Sequence, residues 1–411
     1  MRTRIRRRVL ALVTVLATVA CAAVATAAPA VAEDPSFYIP PADLPAGRDG
    51  DLIKHEEMTF YLDPIKLIPA NAHAQRIMYH SRDHNNQPTA VTGTVLTPTT
   101  AWPGPGPRPI VAYTPGTRGQ GDKCAPSRNR TSGLEYEAPF IAGLLARGWG
   151  VVITDYQGLG TPDTHTYVNR TATGHAVLDA IRAAQRLPQA DLSDAGPVAI
   201  GGYSQGGAAS GAAAELAASY APDLNIVGAY SGAPPADLAE VAKFVDGTYA
   251  MAVLGYATNS LDAVYPEAGV RTMFNDRGRR FLDQTANECL VPESVLNHRF
   301  TQSSSLTIDG RPVSAHVSEG KLGQVVAAQK LGQTRPAFPV MVAHAPGDDL
   351  LPYPQAHQLA LDWCQRGATV NFQKLGTPTH VGAVFESVPR MYSWVADRFA
   401  GKPAPNSCGG L

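Results

Sequence analysis

Three side chains in this 411-residue sequence could be assembled for nucleophilic chemistry. The first is Ser204, centred in Gly202-Tyr203-Ser204-Gln205-Gly206. A serine hydroxyl attacks a carbonyl only when a base takes its proton, so it needs an imidazole and a carboxylate behind it. His380 lies in Gly376-Thr377-Pro378-Thr379-His380-Val381-Gly382, and Asp348 in Gly347-Asp348-Asp349-Leu350-Leu351-Pro352. The order serine, acid, histidine is one in which such triads occur. Asp348 stands four before Pro352, in the D-x-x-[VIL]-P pattern common behind a catalytic acid, and Asp349 then reads as a turn or cap residue. His344 closes a strand and His175 falls in a helix, so both read as structural.

The G-x-S-x-G pentapeptide is weak evidence alone. Its flanks give it meaning. Val198-Ala199-Ile200 reads as a strand, and residues 208–218 are an Ala-rich helix former. Strand, sharp turn and helix make a nucleophile elbow, in which small neighbours let strand and helix approach. The developing oxyanion then needs two backbone donors. One is the amide of Gln205. The other is expected from the loop after strand 110–114, where Gly116 and Thr117 are the candidates. Tyr203, Asp155 and Tyr156 are expected to bind substrate, the last two from the next strand-end loop.

The elements that must hold these residues alternate. Strands are expected at 110–114, 150–154, 198–202, 226–231, 339–344 and 369–375. Helices are expected at 135–147, 173–187, 354–366 and 383–399. Such alternation predicts an α/β fold with a mostly parallel sheet and helices on both faces. Residues 74–79 and 90–96 read as an antiparallel hairpin at a sheet edge. The alternation breaks between 236 and 335, where helices are expected at 237–244, 248–258 and 269–282. The expected organisation is therefore a signal peptide at 1–32, a core of 33–235 and 336–411, and an inserted helical cap at 236–335. The apolar cap positions Phe244, Met251, Leu254 and Phe274 either line an acyl tunnel or pack the cap.

The signal reading rests on five arginines within residues 2–8, an apolar run from Val9 to about Val24, and Ala30-Val31-Ala32. Cleavage is expected near Ala32-Glu33, giving a secreted, extracellular protein. The Arg-rich start and Ala/Gly/Pro-rich body point to a high-GC bacterium. Removing five arginines from 34 basic residues leaves 29 against 35 acidic, a formal charge of −6. That balance gives no attraction to nucleic acid. Four cysteines remain, Cys124, Cys289, Cys364 and Cys408, an even number that suggests two disulfides in an exported protein. Three pairings are available, and Cys364–Cys408 with Cys124–Cys289 is preferred because the first two both lie in the C-terminal part. No metal or other cofactor is expected: His55-Glu56-Glu57-Met58 is only half of H-E-x-x-H, and no C-x-x-C exists.

The sequence resembles the secretory lipases, the group of Candida antarctica lipase A and many actinobacterial lipase-like proteins. The resemblance is carried by Gly50-Asp51-Leu52-Ile53, Val91-Thr92-Gly93-Thr94-Val95, Asp122-Lys123-Cys124-Ala125-Pro126-Ser127, Asp155-Tyr156-Gln157-Gly158-Leu159-Gly160, the Ser204 pentapeptide, Trp363-Cys364 and Cys408. It implies an α/β-hydrolase with a helical cap, two disulfides and hydrolysis of carboxylic esters, including acylglycerols. Ser204, Asp348 and His380 fall on the family's triad positions. The lipase A type has an acidic residue where this chain reads Thr114-Pro115-Gly116-Thr117, so the second oxyanion donor is not carried over. The expected substrate is a small acyl ester or lipid, with a lipid interface as a transient contact and no obligate protein partner. The same triad also serves acyltransferases and serine peptidases. A non-catalytic binding protein would be marked by a broken triad, and all three positions are intact.

Overall fold

The structure, a computed structural model, describes residues 35–63, 66–128 and 136–411. The expected signal peptide and its cleavage site lie outside the described residues. Pro35–Tyr38 form a single 3₁₀ turn in a separate N-terminal unit that ends at Ile39. Everything from Pro40 onward forms one compact unit.

Among the described residues nine strands make one sheet: β1 (Leu52–Met58), β2 (Ala72–Arg82), β3 (Pro88–Pro98), β4 (Ile110–Thr114), β5 (Gly150–Thr154), β6 (Val198–Tyr203), β7 (Ile226–Gly232), β8 (Val340–His344) and β9 (Val370–Lys374). Their spatial order is β1-β2-β3-β5-β4-β6-β7-β8-β9. The first three strands run antiparallel, as does β3 against β5, and the rest pair in parallel. The expected hairpin is β2–β3, but β1 takes the edge outside it. Lys54, His55, Glu56 and Glu57 hid β1 from an apolar reading, and such charges are what an edge strand carries to discourage further pairing.

The central strands are buried on both faces, which is why they read as unbroken apolar runs. Ile110, Ala112, Val198 and Ile200 point to one core. That core is covered by α2 (Arg170–Arg186), α3 (Gln205–Tyr220) and α8 (Tyr353–Gln365). Val111, Tyr113 and Ala199 point to the other, under α1 (Ala138–Leu145) and α9 (His380–Phe399).

Between β7 and β8, residues 233–339 contribute helices and no strand to the sheet. The longer ones are α4 (Leu238–Val245), α5 (Ala252–Val264), α6 (Asp276–Thr285) and α7 (Gly320–Ala328). They bury a third apolar cluster that includes Met251, Leu254 and Phe274, whereas Phe244 is exposed. The expected helix 269–282 is instead a 3₁₀ turn, Val270–Met273, followed by α6. Asn275 is the reason: its side chain accepts the N–H of Gly278 at 3.0 Å and starts a new helix.

Both disulfides have the preferred pairing. Cys364–Cys408 ties the tail to α8. Cys124–Cys289 joins the loop after β4 to the inserted segment, across 165 residues of sequence.

Register sets the stage for the site. Thr114 pairs with Gly202, Tyr203 with Gly232, Gly232 with Ala343, and His344 with Lys374. The C-terminal ends of five parallel strands therefore stand level, where open α/β sheets bind ligands.

Candidate active site

Ser204 occupies the turn between β6 and α3 with φ +60° and ψ −124°. Non-glycine residues avoid this conformation at a cost of roughly 1–3 kcal/mol, and it persists where the surroundings over-determine it. Here the surroundings do. The Ser204 N–H is fixed to the Gly232 carbonyl at 2.9 Å, and its carbonyl accepts Ala208 N–H at 3.1 Å. A Cβ on Gly202 or Gly206 would come within 2.0 and 1.9 Å of the Thr114 carbonyl oxygen. That close approach is what the two pattern glycines provide. Gln205 opens α3, so its N–H has no partner within the helix, and the helix dipole favours negative charge there.

His380 is the first residue of α9, and three bonds fix it. Its N–H donates to Asp349 Oδ1 at 2.8 Å, its carbonyl accepts the Tyr203 hydroxyl at 3.0 Å, and its Nδ1 meets Asp348 Oδ2 at 2.7 Å. With Nδ1–H donating its hydrogen bond to the carboxylate, Nε2 is left as an acceptor, which is the tautomer a general base needs. Asp348 lies on the turn after β8. Its Oδ1 accepts the N–H groups of Leu350 and Leu351 at 2.9 and 2.8 Å. Its Oδ2 also meets His344 Nε2 at 3.1 Å. Burial raises the carboxyl's pKa, but hydrogen bonds from His344 and His380 outweigh it and hold the group well below its usual range.

Ser204 and His380 line one cavity of about 350 Å³, walled mainly by apolar side chains. On the core side it meets Thr117, Glu137, Tyr203 and Phe385, and on the other Leu238, Leu254 and Leu290 of the inserted segment.

The loop after β4 corrects one expectation. The Gly116 N–H points at both oxygens of Glu137, at 3.1 and 3.2 Å, and is thus occupied. Of the two candidates on that loop, Thr117 is the one left, and it lines the cavity. Its hydroxyl meets the Tyr167 hydroxyl at 2.8 Å, and its carbonyl accepts Tyr136 at 3.2 Å. Two more expectations are corrected, because neither Asp155 nor Tyr156 lines the cavity. Asp155 is fully buried beneath it, taking the Ser127 N–H at 2.8 Å, the Thr92 hydroxyl at 2.6 Å and the Ser127 hydroxyl. It anchors the loop that carries Cys124. The Tyr156 hydroxyl donates to the Pro115 carbonyl at 2.8 Å and supports the Thr117 loop from below.

Sequence patterns did not single out Glu137, which reaches the loop from the start of α1. His165 was also missed. Its pKa is lowered to about 4 by burial, and its Nδ1 faces the Gln157 carbonyl at 3.1 Å. Its Nε2 then accepts the side-chain amide of Gln205 at 3.3 Å. The only sequence hint was polarity in an apolar setting, at Thr164-His165-Thr166-Tyr167.

Sheet and elbow define an α/β-hydrolase. The chain superimposes on Candida antarctica lipase A in its closed state with a TM-score of 0.80 and 25% identity, covering 93% of this chain and 90% of that one. It shares the fold of the rice cell wall degrading esterase LipA from Xanthomonas oryzae, with a TM-score of 0.68, 19% identity and 86% and 97% coverage. Residues 124–407 match the family model described as secretory lipase. A probable inactive lipase of Mycobacterium tuberculosis is 30% identical over 388 residues, 91% of this chain and 84% of that one. A secreted triacylglycerol lipase of Malassezia furfur is 28% identical over 392 residues, 90% and 77% of the two chains. The chain belongs to the secretory lipase family.

Proposed function

We propose that the protein is an exported serine ester hydrolase, a lipase or carboxylesterase acting on acyl esters through Ser204, His380 and Asp348. The observation that carries this is the Nδ1–Oδ2 bond of 2.7 Å behind an imidazole that shares an apolar cavity with a strained serine. Ser204 attacks the ester carbonyl while His380 Nε2 takes its proton. Asp348 stays ionised and stabilises the imidazolium. The oxyanion is received by the N–H groups of Gln205 and Thr117. His380 then protonates the departing alcohol, and water, activated by the same imidazole, releases the acid from the acyl-enzyme. Family membership supports ester hydrolysis, and the apolar walls fit an acyl chain. Export through residues 1–32 is part of the proposal, and the family's secretory character supports it.

The word inactive in the name of the mycobacterial relative favours a second reading, a hydrolase-like protein without turnover. Against it stand the intact Ser204, His380 and Asp348 and the elbow's backbone strain, a feature that clusters at active sites. The deciding experiment uses the purified, oxidised protein. Release of p-nitrophenol from short- and medium-chain acyl esters, and labelling of Ser204 by a fluorophosphonate, are expected. Silence in both would overturn the proposal.

A further inference from the structure

Asp348 is served by two imidazoles on a single oxygen. His380 Nδ1 lies 2.7 Å from Oδ2, and His344 Nε2 lies 3.1 Å from the same atom. His344 ends β8, four residues before Asp348, and is fully buried. Strand position and burial alone would make it an ordinary core residue. Its hydrogen bonding says otherwise. Oδ2 is an acceptor, so His344 Nε2 carries the proton. Its Nδ1 is buried and has no hydrogen-bond partner among the described residues. A proton on Nδ1 would therefore be buried without an acceptor, which leaves the Nε2–H form as the satisfied one. A bare buried nitrogen is a cost that an apolar ring would avoid. What the imidazole supplies in return is one N–H aimed at the acid.

We infer that His344 is a positioning residue for the reaction: it donates to Asp348 Oδ2, shares the charge that His380 would otherwise receive alone, and holds the carboxylate in line with His380. The inference rests on the proposed triad. Its physical consequence is a limit on how strongly Asp348 favours the imidazolium. Four donors converge on the carboxylate, namely His344, His380, and the N–H groups of Leu350 and Leu351. Each disperses negative charge. Withdrawing the His344 donor concentrates that charge on His380 and favours its protonated form. Activity then requires a higher pH, because only the unprotonated imidazole can accept the Ser204 proton.

The other titratable groups nearby come from every adjoining element. Asp349 holds the His380 N–H and interacts with the Tyr249 hydroxyl from the inserted segment. The Tyr203 hydroxyl on β6 is bound to the His380 carbonyl. The Tyr353 ring on α8 lies 5.8 Å from the His344 ring. Glu386 on α9 is engaged by the N–H groups of Gly376 and Thr377 and by the Thr377 hydroxyl. None of them donates to Oδ2 among the described contacts, so the pair His344 and His380 can be perturbed separately.

The test compares the pH profile of kcat/KM for the full-length oxidised protein with H344F, H344L and H344Q, using a p-nitrophenyl acyl ester. Phe and Leu remove the N–H, whereas Gln keeps a neutral donor. The acid limb should move to higher pH by about one unit in H344F or H344L, a tenfold change in proton concentration at half activity. H344Q should stay within about 0.3 unit of the wild type. Two apolar variants are included so that one folding failure does not end the test, and thermal unfolding identifies which are folded. A uniform drop at every pH with an unmoved limb would overturn the inference, as would H344Q moving as far as H344F. Fluorophosphonate labelling of wild type and D348N separates this from failure of the triad. If D348N reacts like wild type, the triad itself is wrong. If D348N is unreactive while the His344 variants keep the wild-type limb, only the role of His344 falls.

Discussion

Ser204, Asp348 and His380 lie on the turns and helix starts that follow strands of the sheet, whereas the facing wall of the cavity that Ser204 and His380 line, with Leu238, Leu254 and Leu290, belongs to the segment between β7 and β8. The first wall is made of directional contacts. The Ser204 N–H, the four donors on Asp348 and the three bonds fixing His380 leave each group one position. The second wall is held by apolar packing around Met251, Phe274 and Leu282, which is tolerant of volume-conserving exchange. Under the proposed function the difference separates tasks: chemistry sits where geometry is discrete, and substrate fit sits where it can be adjusted without disturbing the chemistry.

Substitutions on the two walls should therefore fail differently. The largest effect is expected from D348N, which removes the charge and the tautomer control behind His380. Its kcat should fall by about 10⁴-fold with KM little changed. The same variant carries a pH signature in stability. Because the folded Asp348 pKa lies below its unfolded value, its contribution is present above about pH 4 and is lost as pH falls through the folded value. Urea unfolding should thus show the wild type's advantage over D348N shrinking on acidification.

Next come the disulfides. Removing either pair should cost about 2–5 kcal/mol. Chain entropy makes the Cys124–Cys289 loss the larger, since its loop is 165 residues against 44. Of the two, only that bond adjoins a cavity-lining residue, Leu290. C124S/C289S should therefore also alter KM in ester assays, and C364S/C408S should leave it unchanged.

L254W tests the apolar wall. It should lower kcat/KM for long acyl esters by about 10–100-fold and leave acetyl esters within about threefold. A comparable loss on both would mean that the two walls are not independent. The smallest effect is a gain. S204G should be inactive yet more stable by about 1 kcal/mol, because glycine accepts φ +60° without strain. Denaturant midpoints read this directly.

The legible parts of the sequence were those with a strong local signature. Val198-Ala199-Ile200 and the glycines around Ser204 encode strand and turn within ten residues, and His380 and Asp348 follow strands whose apolar runs are unmistakable. β1 was not legible, because its Lys and Glu residues obey an edge-strand rule rather than an apolar one. Gly116 was offered as a donor because glycine and loop position are local facts. Its engagement by Glu137, 21 residues away, is a tertiary one. Asp155 and Tyr156 depart from expectation for the same reason: a strand-end position does not reveal whether a side chain turns up into a cavity or down to brace a loop. His344 was judged by its strand, although the residue that gives it meaning lies only four positions further on.

The Cys124–Cys289 bond does not stand alone. Gly119 bridges to Cys289, Leu290 donates its N–H to the Arg118 carbonyl, and Lys123 pairs with Glu293. Leu290 and Thr117 thus sit on two sides of one stitched seam. The inserted segment could not part from the loop along that line without breaking backbone pairs and a covalent bond together. Val381 and Phe385 of α9 line the same cavity away from that seam and are exposed. The molecule is built like a clasp riveted on one side.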